Sequence, residues 1–345
     1  MGGTTRHFRT LARDLGANGD FEVRVVNTSR GDEHARPLAN LRVGLATLRA
    51  ALRNVRRVDV VSYHASNRGM LRFGPLLLGL CRVAGRPLIL RMFGGGFGDE
   101  YFAQRPWRRA FIRRLILSAD AILLQTRRAI EQLRGHARGE LVWFSTYIDA
   151  PGAPPGAAAE PPADRCTRFV FLGHLWRSKG IETLLAAAPR LPPGCTIDVY
   201  GPTDEYRSEE IDGRGAGAVR YRGMLTHEEV DAKLWAYDCL VLPTEHPNEG
   251  YPGVIAEAFA HGLPVIATRW LAIPEIVDAG CGLLVEPGDA EGFVRAVREL
   301  HADPDLWRRL REGARAKAAE FDHARWSKVF EDLCRRLAGD ARLRG

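Results

Sequence analysis

Lysine is almost missing from this chain. Among 345 residues only Lys179, Lys233, Lys317 and Lys328 occur, so arginine carries nearly all of the positive charge. The net charge of +7 is compatible with an anionic partner. An excess of Arg, Ala, Gly and Pro is also what codon bias produces, so the charge alone selects no partner, and nucleic acid is not expected. Long apolar runs are absent too. No stretch reaches the roughly 18 apolar residues that a membrane-crossing helix needs, and Met1–His7 has no apolar core, so neither a transmembrane helix nor a secretory leader is predicted. The six cysteines stand apart with no C-x-x-C pair, and several lie in apolar runs, which reads as buried reduced thiols in a cytoplasmic protein. The histidines are scattered and no D-x-D follows a strand of the second half, so no metal is expected. No G-x-G-x-x-G follows any strand, which argues against a dinucleotide oxidoreductase.

What the chain does have is short apolar runs alternating with amphipathic segments. In the first half the runs are Val23–Asn27, Val58–His64, Pro87–Phe93, Ala121–Thr126 and Leu141–Thr146. In the second they are Arg168–Gly173, Thr196–Gly201, Ala218–Gly223, Cys239–Thr244, Pro264–Thr268 and Gly282–Val285. Runs this short and continuous suit strands buried on both faces of a parallel sheet. Helical periodicity fills the intervals, as at Thr226–Tyr237, Val254–His261 and Ala290–His301. The alternation predicts an α/β protein of two doubly wound, Rossmann-like domains. Residues 151–164, dominated by Pro, Gly and Ala, read as a semi-rigid linker between a first domain, 1–150, and a second, 165–320. Two such domains would face a cleft, and ligands of open α/β sheets bind beyond the carboxyl ends of the strands.

After Thr244 the chain reads Glu245-His246-Pro247-Asn248-Glu249-Gly250-Tyr251-Pro252-Gly253 and enters the helix Val254–His261. Glycines let backbone approach a ligand closely, and the unsatisfied N–H groups at a helix start attract a diphosphate. Glu249 is placed to accept hydrogen bonds from sugar hydroxyls, and Glu257, one turn into the helix, could hold a ribose diol. The E-x7-E pair Glu249/Glu257 within EGYPGVIAEAFAHGLPVIAT, followed by Pro274-Glu275-Ile276, resembles the signature of the family-4 retaining glycosyltransferases (glycosyl transferases group 1), which have the GT-B fold. The resemblance implies a transferase that moves a sugar from a nucleoside-diphosphate sugar to an acceptor hydroxyl with retention, in glycan or glycolipid biosynthesis. It implies a UDP- or GDP-type co-substrate and no cofactor. It gives Glu249 the transferred sugar and Glu257 the ribose, helped by the loop residues Gly250, Tyr251 and Gly253. Met224 and Leu225, after another strand, would frame the base.

In that family the first donor-domain strand runs into G-R-L-x-x-x-K-G, whose Arg and Lys clamp the diphosphate. Here the loop reads Gly173-His174-Leu175-Trp176-Arg177-Ser178-Lys179-Gly180. Lys179 matches, His174 stands in the Arg place without a guanidinium's fixed charge and fork, and Arg177 is expected to supply the missing charge. The first half resembles the family's acceptor domain more loosely. Gly2 and Gly3 with the helix reaching Leu15 resemble its glycine loop and first helix. Val60–His64 resembles its D-V-V-H-x-H strand end, making His64 the third catalytic candidate beside Glu249 and Lys179. Gly94, Gly95 and Gly96 form a close-approach loop in which Phe93 replaces the usual His. The resemblance also expects a central strand ahead of the glycines, which predicts that the true start lies about ten residues upstream. The last helix, 321–345, is expected to return to the first domain with Trp326 in the core.

Arg105–Leu117 reads as a basic amphipathic helix. It either docks through Arg105–Arg114 on anionic membrane, making the protein peripheral on the inner face and giving access to a lipid-linked acceptor, or packs its apolar face on the sheet and solvates its arginines. A glycan or small-molecule acceptor fits the same domain. Two other classes share the fold: a transferase of weak or no activity kept as a scaffold, and a nucleotide-sugar 2-epimerase, whose pattern lacks the E-x7-E block.

Overall fold

The computed structural model describes residues 3–26, 47–149, 151 and 164–344. Gly2 and nearly all of the linker 151–164 lie outside them. The chain divides into two compact units, Met1–Phe144 with Ala324–Gly345, and Ser145–His323.

The first unit opens with helix α1 (Gly3–Ala17) and the helical residues 47–54 (α2). It continues through β1 (Val61–Ser66), α3 (Asn67–Ala84), β2 (Leu88–Phe93), α4 (Phe97–Ala103), α5 (Pro106–Leu115), β3 (Ala121–Leu124), α6 (Arg127–Leu133) and β4 (Glu140–Trp143). The four strands lie in the order β1-β2-β3-β4, all parallel. Leu88, Leu90 and Met92 of β2 and Ile122 and Leu124 of β3 join one core with Leu78 and Cys81 of α3 and Ile112 of α5. Burial on both faces explains the near-continuous apolar runs.

The run Val23–Asn27 does not form the expected strand: residues 21–26 have no regular secondary structure, and Asn27 lies outside the described residues. A strand needs a neighbour to receive its N–H and C=O groups. Among the described residues β1 is the sheet edge, and nothing between it and 21–26 offers one.

The second unit runs β5 (Arg168–Leu172), α7 (Ile181–Ala187), β6 (Thr196–Tyr200), α8 (Ser208–Arg214), β7 (Val219–Tyr221), α9 (His227–Leu234), β8 (Cys239–Leu242), α10 (Gly253–Ala260), β9 (Val265–Thr268), β10 (Gly282–Val285), α11 (Ala290–Ala302) and α12 (Pro304–Ala318). Helix α13 (His323–Arg344) follows, and from Ala324 onward it belongs to the first unit. The sheet order is β10-β9-β8-β5-β6-β7, all parallel. From β5 the chain winds one way through β6 and β7, then returns to lay β8 on the other flank of β5. That reversal opens a crevice beyond the carboxyl ends of β5 and β8. At the opposite end the two strands are pinned by Asp238, fully buried, which accepts the N–H groups of Thr167 (3.0 Å) and Arg168 (2.8 Å) and the Arg168 guanidinium (2.8 Å). Thr226 and Glu229 close a reciprocal capping box at the start of α9, which is why that helix begins where it does.

Candidate active site

The loops leaving β5 and β8 meet at this crevice. Lys179 and Glu249 stand 70 positions apart, yet Nζ donates to Oε2 at 2.5 Å, with side chains only 15% and 9% exposed. Thr244 Oγ1 donates to the same carboxylate oxygen (2.8 Å) and accepts the His246 N–H (3.2 Å). The Glu245 N–H donates to the Ser178 carbonyl (2.8 Å), tying one loop to the other. Gly180 makes the contact possible: its φ is +84°, and a Cβ would lie 2.0 Å from the Pro243 carbonyl oxygen, so only glycine fits. The His246 ring meets Ser178 Oγ (3.1 Å) and its carbonyl accepts the Trp270 indole N–H (2.7 Å). Burial, helped by the Lys179 ammonium and opposed by Glu249, lowers the His246 pKa.

Helix α10 aims its amino end at the same place. Pro252, at its N-cap, offers no side-chain hydrogen bond, and a Cβ built on Gly253 would meet nothing within 4 Å. Backbone N–H groups left uncapped at a helix start are what an anion takes. One turn on, Glu257 Oε1 lies 3.7 Å from His227 Nδ1 at the start of α9, too long for a hydrogen bond but close enough to bring the loop Gly223–Thr226 beside the carboxylate. Met224 in that loop is 68% exposed and Leu225 half-buried. Gly250 is buried. Tyr251 is buried as well, its hydroxyl donating to Glu275 Oε2 (2.5 Å). Its side chain thus fixes the loop, and Glu275 of the Pro274-Glu275-Ile276 motif is the anchor.

On the other rim His174 Nδ1 pairs with Asp204 Oδ2 (2.7 Å), and the ring stacks on Trp176 (4.5 Å between centroids, 22° between planes). Gly173 sits between, its N–H on the Tyr200 carbonyl (3.1 Å). The Arg177 guanidinium is exposed and 4.0 Å from Glu182. A cavity of about 560 Å³ lined by Arg177, Ser178, Glu205 and Glu245 opens here.

The remaining candidates belong to the first unit. His64 packs among the rings of Phe8, Phe93 and Phe330. Its Nε2 meets Ser62 Oγ (2.8 Å), while Nδ1 is shut from solvent without a hydrogen-bond partner. Burial above all, and the Arg91 charge, hold its pKa well below the ordinary histidine range. His64 is therefore neutral and aromatic-packed, a geometry suited to packing more than to carrying protons. Gly94–Gly96 do form a loop leading to α4; the Gly94 N–H donates to Gln125 Oε1 (3.1 Å) at a φ of +101°. Gly3 is the first residue of α1, and Gly2 lies outside the described residues. In α5 only Ile112 is buried; Trp107 (64%) and Phe111 (48%) are exposed. Trp326 is buried against Trp143 and Phe144.

Sequence reasoning missed Thr244, Ser178, His246, Asp204 and His227. Thr244 carried a signal, a polar residue ending an apolar strand at the ligand side of the sheet. The others are brought in by contacts with residues 30 or more positions away, which no local pattern encodes.

Two all-parallel α/β units, with paired loops at a sheet switch point, define a protein of the GT-B class. A solved sucrose-phosphate synthase from Thermosynechococcus elongatus superposes with a TM-score of 0.73 at 20% identity, over 98% of this chain and 94% of that one. Anabaena HepE, solved in complex with UDP, superposes at 0.68 and 17% identity, over 86% and 84%. Residues 166–303 match the family model described as Glycosyl transferases group 1. The glycogen synthase of Mycobacterium tuberculosis is 30% identical over 208 residues, 58% of this chain and 49% of that protein, so the chain spans about half the length of that relative. The similarity to the glycosyl transferases group 1 family thus falls in the second unit.

Proposed function

We propose that this chain transfers a sugar from a nucleoside-diphosphate sugar to an acceptor hydroxyl with retention of anomeric configuration, as a step in glycan or glycolipid synthesis. The observation that carries the reading is the Lys179–Glu249 pair, two charges withdrawn from water at the mouth of a switch-point crevice. Desolvating such a pair costs free energy that its attraction offsets only in part, so stability alone does not account for it. A nucleotide sugar would divide the pair. The ammonium would turn to the diphosphate, where charge accumulates as the glycosidic bond breaks, and the carboxylate to the sugar hydroxyls. Fixed donors aimed at charge that develops late in the reaction lower its barrier.

The open amino end of α10 at Gly253 would take the diphosphate from the other side. Glu257 would take the ribose, and Met224 and Leu225 the edge of the base. His174 and Arg177 complete the basic rim. No cofactor has a part in this scheme; the nucleotide sugar is a co-substrate. HepE is solved with UDP, which makes uridine the first base to try.

The acceptor falls to the first unit, beside Gly94–Gly96. Trp107 and Phe111 stand exposed one helical turn apart on α5, among Arg105, Arg108, Arg109, Arg113 and Arg114. Exposed aromatics ringed by cations complement an anionic lipid surface, which fits a cytoplasmic enzyme working at the inner face of the membrane on a lipid-linked acceptor.

The test is incubation with UDP-, GDP- and ADP-sugars and a mixed acceptor panel, following nucleoside diphosphate release and the anomer formed. One donor is expected to be turned over with its configuration kept. Silence with every donor would remove the transferase reading, and an inverted product would remove retention alone.

A further inference from the structure

Leu271, in the loop after β9, has a φ of +45°. A leucine reaches that left-handed region only against the clash of its Cβ with the backbone, where glycine would go freely. Ala216 is the other non-glycine with a positive φ among the described residues. It stands exposed between Gly215 and Gly217, in a surface turn that any small residue serves. The surroundings of Leu271 are different.

Its loop is clasped to the loop that carries Glu249 on both sides of that carboxylate. Trp270 donates its indole N–H to the His246 carbonyl (2.7 Å), the same oxygen that accepts the Glu249 N–H (3.1 Å). Glu275 Oε2 accepts the Tyr251 hydroxyl (2.5 Å). Beneath them Thr268 Oγ1 donates to the carbonyl of Thr244, whose own hydroxyl is on Glu249. With ties at 246 and 251, residues 271–274 run alongside 247–250. Of these, Ala272 and Ile273 are fully buried and fill the core, while Leu271 stays half-buried. The clasp needs Trp270 and Glu275 and the core needs Ala272 and Ile273, but neither needs a leucine in a glycine conformation. Backbone strain of this kind concentrates where a ligand is held.

We propose that Leu271 is a specificity-determining residue: its side chain walls the sugar subsite beside Glu249 and limits the bulk of the sugar that the donor carries. The inference deepens the donor-site reading above and rests on it. A carboxylate that accepts from hydroxyls discriminates little, because every sugar offers them. An apolar wall adds a limit of volume, since a substituent that overlaps it is rejected. The four carbons of a leucine side chain take up about the room of an acetamido group, so the donor selected is a plain hexose in preference to an N-acetylhexosamine. The nucleoside diphosphate lies beyond the wall and is indifferent to residue 271.

The test is calorimetry on the full chain with xylose, glucose and N-acetylglucosamine, each carried on UDP, GDP and ADP, beside the three free nucleoside diphosphates. On the base that binds, the wild type is expected to hold the glucose donor about tenfold or more tighter than the N-acetylglucosamine donor. Leu271→Gly and Leu271→Ala should narrow that ratio to less than about threefold by gaining affinity for the bulkier sugar, with free nucleoside diphosphate bound as before. Leu271→Met, of similar volume, should keep the wild-type ratio. The alanine variant retains a Cβ, so it separates loss of the wall from relief of the backbone. Unchanged ratios in both small variants overturn the proposal, as does a wild type that binds the two sugars equally. A parallel fall in affinity for the sugars and for free nucleoside diphosphate also overturns it, because Leu271 would then only hold the loop in shape. If the wild type binds none of the nucleotides, the donor-site reading itself has failed and this inference goes with it.

Discussion

The two units are built from the same parts, parallel strands joined by helices, but their sequences are tied to different things. In the second unit the residues at the carboxyl ends of β5 and β8 form a connected set, Lys179 on Glu249, Thr244 beneath it, and Gly180 against Pro243. The family-model match falls on this unit, over residues 166–303. In the first unit the corresponding ends carry an aromatic cluster about His64, a glycine loop and an arginine-studded helix. On the proposed function, the difference teaches that a shared ligand constrains sequence. A nucleoside diphosphate sugar presents the same phosphates and ribose to every enzyme that uses it, whereas acceptors vary, and so do the residues that meet them.

The comparison breaks most sharply at Lys179. Replacing it with Ala should lower kcat/KM by about 10²- to 10³-fold, the usual loss of a donor aimed at developing charge. The chain should stay folded, with a modest loss of thermal stability because Glu249 is left buried with Thr244 as its remaining partner. Steady-state kinetics beside a melting curve checks both. A folded Lys179→Ala of near-normal rate would dissolve the distinction between the units.

In the first unit the matching experiment is Trp107→Ser with Phe111→Ser. Co-sedimentation with anionic vesicles should weaken by about tenfold or more, while affinity for the nucleotide sugar stays unchanged. Equal binding of wild type and variant to anionic and neutral vesicles would leave α5 as an ordinary solvated helix. Smaller still is Thr244→Val, which keeps the volume and removes the hydrogen bond to Glu249. It should cost about 1–2 kcal/mol of stability and several-fold in kcat, read by denaturation and initial rates.

The smallest expected effect on activity is at His64. Its pKa is depressed in the fold by burial and Arg91, so below the ordinary histidine pKa the unfolded chain binds a proton that the folded one refuses. Stability is then unaffected at neutral pH and falls as pH drops below about 6.5. His64→Leu should flatten that acid decline in a melting-temperature profile and change kcat by less than about threefold, within the cost of repacking a half-buried site. A large loss of kcat at constant stability would return His64 to the catalytic set.

Much of the second unit was legible because its signals are local. Short apolar runs gave β5, β8 and β9, and Gly253 with Glu257 marked the start of α10. What was not legible is pairwise and distant. That Asp204 meets His174, and that His227 comes beside Glu257, depends on strand order, which no run of residues spells out. Tyr251 stands in the motif, but its bond to Glu275, 24 positions on, is not spelled out there. In the first unit, Val23–Asn27 has strand-like composition, yet composition cannot supply the neighbouring ladder. The amphipathic pattern of α5 was plain, while its small buried face, Ile112 alone, was not.

The central claim, that the loops of β5 and β8 hold a nucleoside-diphosphate sugar through Lys179 and Glu249, is tested most directly by thermal shift of the full chain with UDP-, GDP- and ADP-sugars. A ligand at about 100 times its dissociation constant adds about 2.7 kcal/mol to the folded state. At least one donor should therefore raise the melting temperature of the wild type by several degrees and leave that of Lys179→Ala nearly unmoved. No shift with any donor at millimolar concentration, or an equal shift in both proteins, would contradict the account.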